Sequence, residues 1–473
     1  LYGWASYQLR EARSAGFYRI AQDARNVPQI YPDGFLPLIA PDVDDYSAAF
    51  GARWNLLDWA MDTSLVYGKN KMQFTIEDTL NRSLGPASPT TFDSGGFDYD
   101  QLALNIAGVR QFEFGALASP LNVAWGIEAR REGYSIFAGE PDSYRNGGGL
   151  LNGQPTASGA QVFPGFRPAN VVDEDRTAVG LYLDLEANLT EQLLGSIAVR
   201  GEDYSDFGSN VSGKLALRYD FTDTFALRAA AQTGFRAPSL QQQFFATTST
   251  NFIGGVPFDI TTFPATDPVA VALGAQPLDA EESENFSVGA VLQIGRASLT
   301  IDAYRINIDN RIVLSENLTQ ANVRASLTSL GFIGIGGGRF FLDGAATETE
   351  GVDVVASIPW TSESAGRFDV TLAANFNSTD VTQVPTTAPL AALNPAPVLF
   401  DRLNIMQFEK GQPQAKYSAG LNWRLGRLGA TLRATRYGEV VFNDGNNPAN
   451  DLVLSPETLV DLEARFEATE RLR

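Results

Sequence analysis

Residues 211–236 read VSGKLALRYDFTDTFALRAAAQTGFR. From Val211 the odd positions are Val, Gly, Leu, Leu, Tyr and Phe, set against Ser212, Lys214, Ala216, Arg218 and Asp220. From Phe225 they are Phe, Leu, Ala, Ala, Thr and Phe, against Ala226, Arg228, Ala230, Gln232 and Gly234. Successive side chains of a β-strand point to opposite faces, so this period of two describes two ribbons, each apolar on one face and polar on the other. A tight turn at 221–224 joins them. Each run is about 10 to 13 residues, roughly twice the usual globular strand. That length matches the about 9 to 11 tilted residues that cross a hydrocarbon layer.

Working outward, the same alternation returns at 179–189, 286–294, 352–360, 368–376, 417–425 and 460–466. About sixteen such runs can be counted, the first at 1–19 and the last at 460–466. The connections alternate as well. Tight turns at 189–193, 221–224, 295–297 and 425–428 separate long ones near 20–46, 69–98, 138–174, 237–282, 310–347, 379–413 and 439–456, with one shorter exception at 205–210. Short turns on one side and long loops on the other are how outer-membrane barrels are built. The expected fold is therefore all-β: a transmembrane antiparallel up-and-down β-barrel. A soluble propeller would show a repeat of about 40 to 50 residues, and none is present. A soluble sheet would set lysines on its edges, whereas this chain has five Lys against thirty Arg.

Composition removes whole classes of chemistry. Among 473 residues there is no Cys and no His. Disulfides, thiol catalysis, imidazole acid–base chemistry and His-ligated metals are excluded together. The net charge of −20 argues against nucleic acid as a partner, since phosphate binding needs a basic face. No run of about 18 apolar residues exists to form a transmembrane helix. The chain opens at Leu1 without methionine, inside strand-like sequence, and is read as beginning at a cut end.

Several segments carry a family likeness: RGEDYSDFG at 200–208, GFRAPSL at 234–240, EESENFSVG at 281–289, TEGVD at 349–353 and LVDLE at 459–463. With NRSLGPASPTTF at 81–92 and GEPDSYR at 139–145, the chain resembles TonB-dependent outer-membrane receptors over nearly its whole length. The resemblance implies a 22-stranded barrel with an N-terminal plug. About sixteen of those strands are expected here, with residues 1–473 forming a partial barrel domain that lacks the plug and the last strands. It also implies a multi-pass cell outer-membrane protein that binds a scarce nutrient (siderophore, cobalamin or oligosaccharide) and imports it to the periplasm. Its expected partners are TonB with ExbB/ExbD, reached through the plug, the ligand itself, and outer-membrane lipid or lipopolysaccharide. No catalysis is expected. A passive porin-type channel is the first rival, and an outer-membrane enzyme, which would lack His to activate a nucleophile, is the second.

Candidate ligand-binding residues on the expected extracellular loops are Tyr31, Phe35, Phe163, Phe166, Arg167, Phe244, Phe245 and Phe252. Packing of each loop on itself is the competing role for such aromatics. Candidate plug-facing residues on the lumen parity are Arg200, Glu202, Arg218, Arg228 and Arg236, within a wider polar set that includes Arg53, Asp62, Glu128, Arg130, Asp184, Glu186, Lys214 and Asp353. No metal or cofactor is expected. Asp42, Asp44 and Asp45 lack EF-hand spacing and read as a solvated loop. The GIGGG run at 334–338 lacks a nucleotide-binding pattern. Haem receptors of the resembled family pair a Phe-Arg-Ala-Pro motif with a downstream Asn-Pro-Asn-Leu motif and a histidine between them. Here 235–238 supplies the first, but AQPLDAEES at 275–283 stands where the second belongs, and the histidine is missing.

Overall fold

A computed structural model describes residues 1–253, 256–442 and 447–468, apart from the side chains of residues 250–258. Its main sheet has nineteen strands, of which three are short additions at Ser14–Ala15, Thr247–Ile253 and Val256–Phe263. The other sixteen follow one another up and down. They are β1 (Tyr2–Glu11), β2 (Leu38–Leu56), β3 (Trp59–Glu77), β4 (Phe92–Phe112), β5 (Leu121–Phe137), β6 (Val172–Asn188), β7 (Leu193–Tyr204) and β8 (Gly208–Thr222). The second half comprises β9 (Phe225–Arg236), β10 (Glu281–Ile294), β11 (Ala297–Leu314), β12 (Gly337–Ser362), β13 (Gly366–Gln383), β14 (Ala415–Leu425), β15 (Leu428–Tyr437) and β16 (Glu457–Phe466). Each pairs antiparallel with the next. β1 and β16 are the sheet's two edges, and among the described residues no ladder joins them.

The tight turns have local causes. Leu57 and Asp58, the two residues between β2 and β3, both take positive φ (47° and 67°), the backbone of the two-residue turn whose twist matches its flanking strands. Gly295 (φ 60°) and Gly426 (φ 57°) open the β10–β11 and β14–β15 turns at little steric cost. The expected turns at 189–193, 221–224, 295–297 and 425–428 are all present.

The apolar parity is the exposed one. Leu181 and Ile197 keep 57% and 55% of their surface open, and Leu215 and Leu227 are exposed as well. So much contiguous apolar surface suits lipid rather than water. Aromatic pairs border it on both sides. Tyr219–Phe221, Phe221–Phe225 and Trp360–Phe368 lie at the tight-turn ends. Tyr46–Tyr67 and Phe376–Tyr417 lie toward the long loops. From Phe368 to Phe376 is about 27 Å along β13 at ~3.4 Å per residue. At a tilt of about 40° that becomes about 20 Å of height, close to the apolar band of a barrel.

Two expectations need correction, and the loops add a feature of their own. The first strand does not run through 1–19: β1 stops at Glu11, and only Ser14–Ala15 rejoins the sheet, against Leu38 and Ile39. Several strands also extend well into segments read as loops. β2 begins at Leu38, so Asp42, Asp44 and Asp45 are ladder residues, with Tyr7 donating to Asp44 (2.8 Å) and Arg10 paired to Asp45 (3.0 Å). β4 has 21 residues and β12 has 26, far more than a bilayer needs. Above the lipid both faces are polar, so alternation fades although pairing continues. Finally, the loops contain short helices, at Leu240–Phe244, Pro268–Ala272, Ala321–Ser329, Ala388–Ala391 and Arg402–Glu409. Their signals were caps: Ser239 accepts from the Gln242 amide, and Asp267 and Asp401 cap the second and the last.

Candidate functional site

The site grows out of the strand that ends in Phe-Arg-Ala-Pro. β9 pairs with β10 through Arg236, whose guanidinium meets the Glu281 carboxylate at two points (2.7 and 2.6 Å). Glu281 is buried and also accepts the Ile312 amide (2.8 Å), so the pair ties β9, β10 and β11 together. Pro238 has no amide to offer a ladder. Its carbonyl instead accepts from Arg176 on β6, and Ser239 then starts the helix Leu240–Phe244. The chain turns there because a buried cation holds its carbonyl.

Arg176 is the hub of that junction and is only 5% exposed. It donates to Glu132 on β5, lies 3.3 Å from Asp206 and sits over the Tyr204 ring (5.2 Å). Glu132 also accepts from Tyr99 on β4, and Arg130 donates to the Tyr204 hydroxyl (2.7 Å). Gln243 of the helix reaches Asp206 (2.7 Å). Four strands, the β7–β8 turn and one loop helix thus share one desolvated polar network, in which every buried charge has a partner of opposite sign. Sequence reasoning passed over Arg176, Glu132 and Tyr99. Parity was the available signal, since Glu132 shares the face of Glu128 and Arg130.

Above the network lies an aromatic layer. Phe163 packs on Phe74 (4.9 Å between centroids) and Phe166 (5.7 Å), and Phe166 meets Phe245 edge-on (6.2 Å). Phe244 joins the same cluster, with Tyr134, Ile136 and Leu240 buried beneath. Phe166 is 1% exposed. Tyr31 and Phe35 form a separate stack (4.8 Å) over Val27 and Leu80, with the Tyr31 hydroxyl donating to the Thr79 carbonyl (3.3 Å). Burial, helped by the nearby Asp78 charge, pushes the Tyr31 phenol above its usual range. Arg167 reaches across to Asp259 (3.0 Å). The Phe252 and Phe258 side chains lie outside the described residues. The structure therefore brings Phe163, Phe166, Phe244 and Phe245 together as packing of loop on loop, and holds Tyr31, Phe35 and Arg167 apart from them.

Lower in the barrel wall, each named lumen arginine finds a neighbour on its own face. Arg200 pairs with Glu202 and lies 3.6 Å from Glu128. Arg218 pairs with Asp220 (2.7 Å) and Arg228 with Asp302 (2.5 Å). Gly289 lies beside this last pair, where a Cβ would fall 1.9 Å from the Asp302 carboxylate, so its lack of a side chain makes room for it. Arg53–Asp62 (3.0 Å) and Asp353–Asn375 (2.6 Å) continue the polar lining.

The family model for the TonB-dependent receptor-like β-barrel matches residues 1–473. The chain belongs to the TonB-dependent receptor family. Receptors of this family are outer-membrane transporters rather than enzymes. Among the described residues no helix is long and apolar enough to cross a membrane, and this barrel type crosses with strands. A search of curated proteins finds no match. Among solved structures, the ferric enterobactin receptor of Pseudomonas aeruginosa is similar at TM-score 0.59 and 13% identity, covering 99% of this chain and 60% of that one. The siderophore receptor PirA of Acinetobacter baumannii is similar at 0.55 and 12%, covering 99% and 62%. The pyoverdine receptor of P. aeruginosa PAO1 is similar at 0.57 and 15%, covering 98% and 62%. At such identities the likeness concerns the fold, and the chain spans about three fifths of each of those proteins.

Proposed function

We propose that residues 1–473 serve as the larger part of the barrel of a TonB-dependent receptor. In this reading the full-length protein captures a scarce nutrient at the cell surface, of the siderophore, cobalamin or oligosaccharide class, and passes it to the periplasm with energy delivered by TonB and ExbB/ExbD. Further strands would join the edges β1 and β16, and an N-terminal plug would fill the lumen. The observation that carries the proposal is the luminal wall. Arg218 and Arg228 are ion-paired yet keep 43% and 47% of their side-chain surface open. Such exposed pairs hold little net energy, so their hydrogen bonds can be exchanged with a removable plug at small cost. The fold shared with siderophore receptors makes ferric siderophores the first ligands to test.

The test is uptake of radiolabelled ferric siderophores by cells that carry the full-length protein, with and without TonB. The proposal expects uptake that stops when TonB is deleted or the proton gradient is collapsed. Uptake that persists in both conditions would instead make the protein a passive channel.

A further inference from the structure

Beyond the aromatic layer, three loops enclose a cavity of roughly 630 Å³ lined by Arg19, Asp23, Arg25, Ser158, Gln161 and Ser249, among others. Arg19 sits in the small hairpin that follows β1, where it pairs with Phe35 across the turn. The residue is 6% exposed. One terminal nitrogen donates to the Phe17 carbonyl (2.7 Å), but the buried Nε has no hydrogen-bond partner. Among the described residues Arg19 makes no ion pair. The acid beside it, Asp23, is held by Arg25 through two contacts, Nε to Oδ1 at 2.9 Å and Nη2 to Oδ2 at 2.7 Å. Ser158 and Gln161, both buried, add uncharged polar groups to the wall.

This arrangement differs from every other buried charge in the cluster described above. Arg176 has Glu132 and Asp206, whereas Arg19 has a carbonyl and borders the cavity. A guanidinium stays protonated at any physiological pH, so burying it with no ion pair of its own, its nearest acid being held by Arg25, is unfavourable. Burial, and then the neighbouring Arg25 charge, push the Arg19 guanidinium below its ordinary range, and the Asp23 charge offsets this only in part. The lining carries two cations and one anion, leaving an excess positive charge. A planar fork of N–H donors at the edge of a roomy cavity fits an oxyanion.

We propose that this cavity is an oxyanion-binding subsite that takes a carboxylate or phosphate group, with Arg19 as its principal cation. Resting on the receptor reading above, the group belongs to the captured ligand. A phosphate of surface lipopolysaccharide shares the chemistry and is the other source.

The test uses the purified full-length receptor in detergent, titrated calorimetrically at constant ionic strength with citrate, inorganic phosphate and lipopolysaccharide. Arg19→Gln is expected to weaken binding of the occupying anion by about tenfold or more, the worth of one hydrogen bond to a charged group. Gln161→Glu places a carboxylate inside the cavity. It is expected to raise the thermal midpoint in anion-free buffer and to abolish the further rise that phosphate or citrate gives the wild type. If soluble citrate or phosphate binds, the ligand is the source; if only lipopolysaccharide does, and Arg19→Gln weakens it, the same subsite is lipid-directed. Equal binding by wild type and both variants, or no anion-dependent change in the wild type, overturns the proposal. TonB-dependent uptake is scored separately. A receptor that imports its ligand but binds no anion here loses only this subsite, and one that binds anions but imports nothing loses only the transport reading.

Discussion

Replacing Leu372 by arginine tests the membrane assignment where it is most exposed to failure. Leu372 lies on β13 midway between Phe368 and Phe376, the aromatic residues that border the apolar band. It is 45% exposed on the outward parity, and Thr371 beside it faces the lumen side with Asp369 and Asn375. A charged side chain at the midplane of a barrel's lipid face costs about 2–4 kcal/mol, and the same charge in a wetted lumen costs far less. At about 1.4 kcal/mol per tenfold, Leu372→Arg should shift the unfolding equilibrium by about 30- to 700-fold, whereas Thr371→Arg should stay within about 0.5 kcal/mol. Urea unfolding of the receptor in lipid vesicles, followed by tryptophan fluorescence, gives both values, and heat-modifiable gel mobility reports the folded fraction. Two adjacent residues on opposite faces of one strand place the same charge on either side of the wall. Equal losses, or a larger loss for Thr371→Arg, would show that the apolar parity does not face lipid.

Three other outcomes are expected. Arg176→Met strands the buried Glu132 without its main cation and should cost about 3–5 kcal/mol, while adding Glu132→Gln should recover most of it; amide exchange at residues 239–246 would report the loosened helix. Glu316, in the loop after β11, is held above the usual carboxylate range by burial and by the adjacent Asp401 charge. For an acid raised in the folded state, the penalty is full above the folded pKa and is relieved as pH falls through it toward the ordinary value. The helix Arg402–Glu409, whose Asn404 donates to Glu316, should therefore be better protected at pH 5 than at pH 7.5, and Glu316→Gln should flatten that dependence. Haemin at micromolar concentration should give no Soret shift with the full-length receptor, because this chain holds no histidine and no cysteine; a shift abolished by mutating one loop tyrosine would refute this.

The barrel was legible in the sequence because lipid imposes a rule on every second residue. Leu215, Leu217 and Tyr219 against Lys214, Arg218 and Asp220 leave only one consistent face, and the count of about sixteen strands followed from it. Legibility failed where that rule lapses. Residues 38–46 are ladder, yet Pro41, Asp42, Asp44 and Asp45 read as loop because no hydrocarbon constrains them there. The network around Arg176 was missed for a related reason. Its members, Tyr99, Glu132, Tyr204, Asp206 and Pro238, are scattered over 140 positions, and only the register of β4 to β9 brings them together. Arg19 left no signal, since its meaning lies in the absence of a partner.

The same comparison separates two kinds of luminal charge. Arg176 and Glu132 are desolvated and over-satisfied, so moving either would leave an uncompensated buried ion. They belong to the fixed frame that sets where β9 ends and its loop begins. Arg218 and Arg228 face open space, and a partner arriving from the lumen could take over their carboxylates at little cost. A transport barrel needs both: a collar that keeps the outer loops in register while something inside the wall moves, and a wall whose contacts can be released. The aromatic layer of Phe74, Phe163, Phe166 and Phe245 is built on the collar rather than on the wall. A rearrangement of the loops that left Arg176 in place would therefore have to break aromatic contacts first. The junction after Phe-Arg-Ala-Pro is accordingly the place where the strand ladder ends and the loop surface begins.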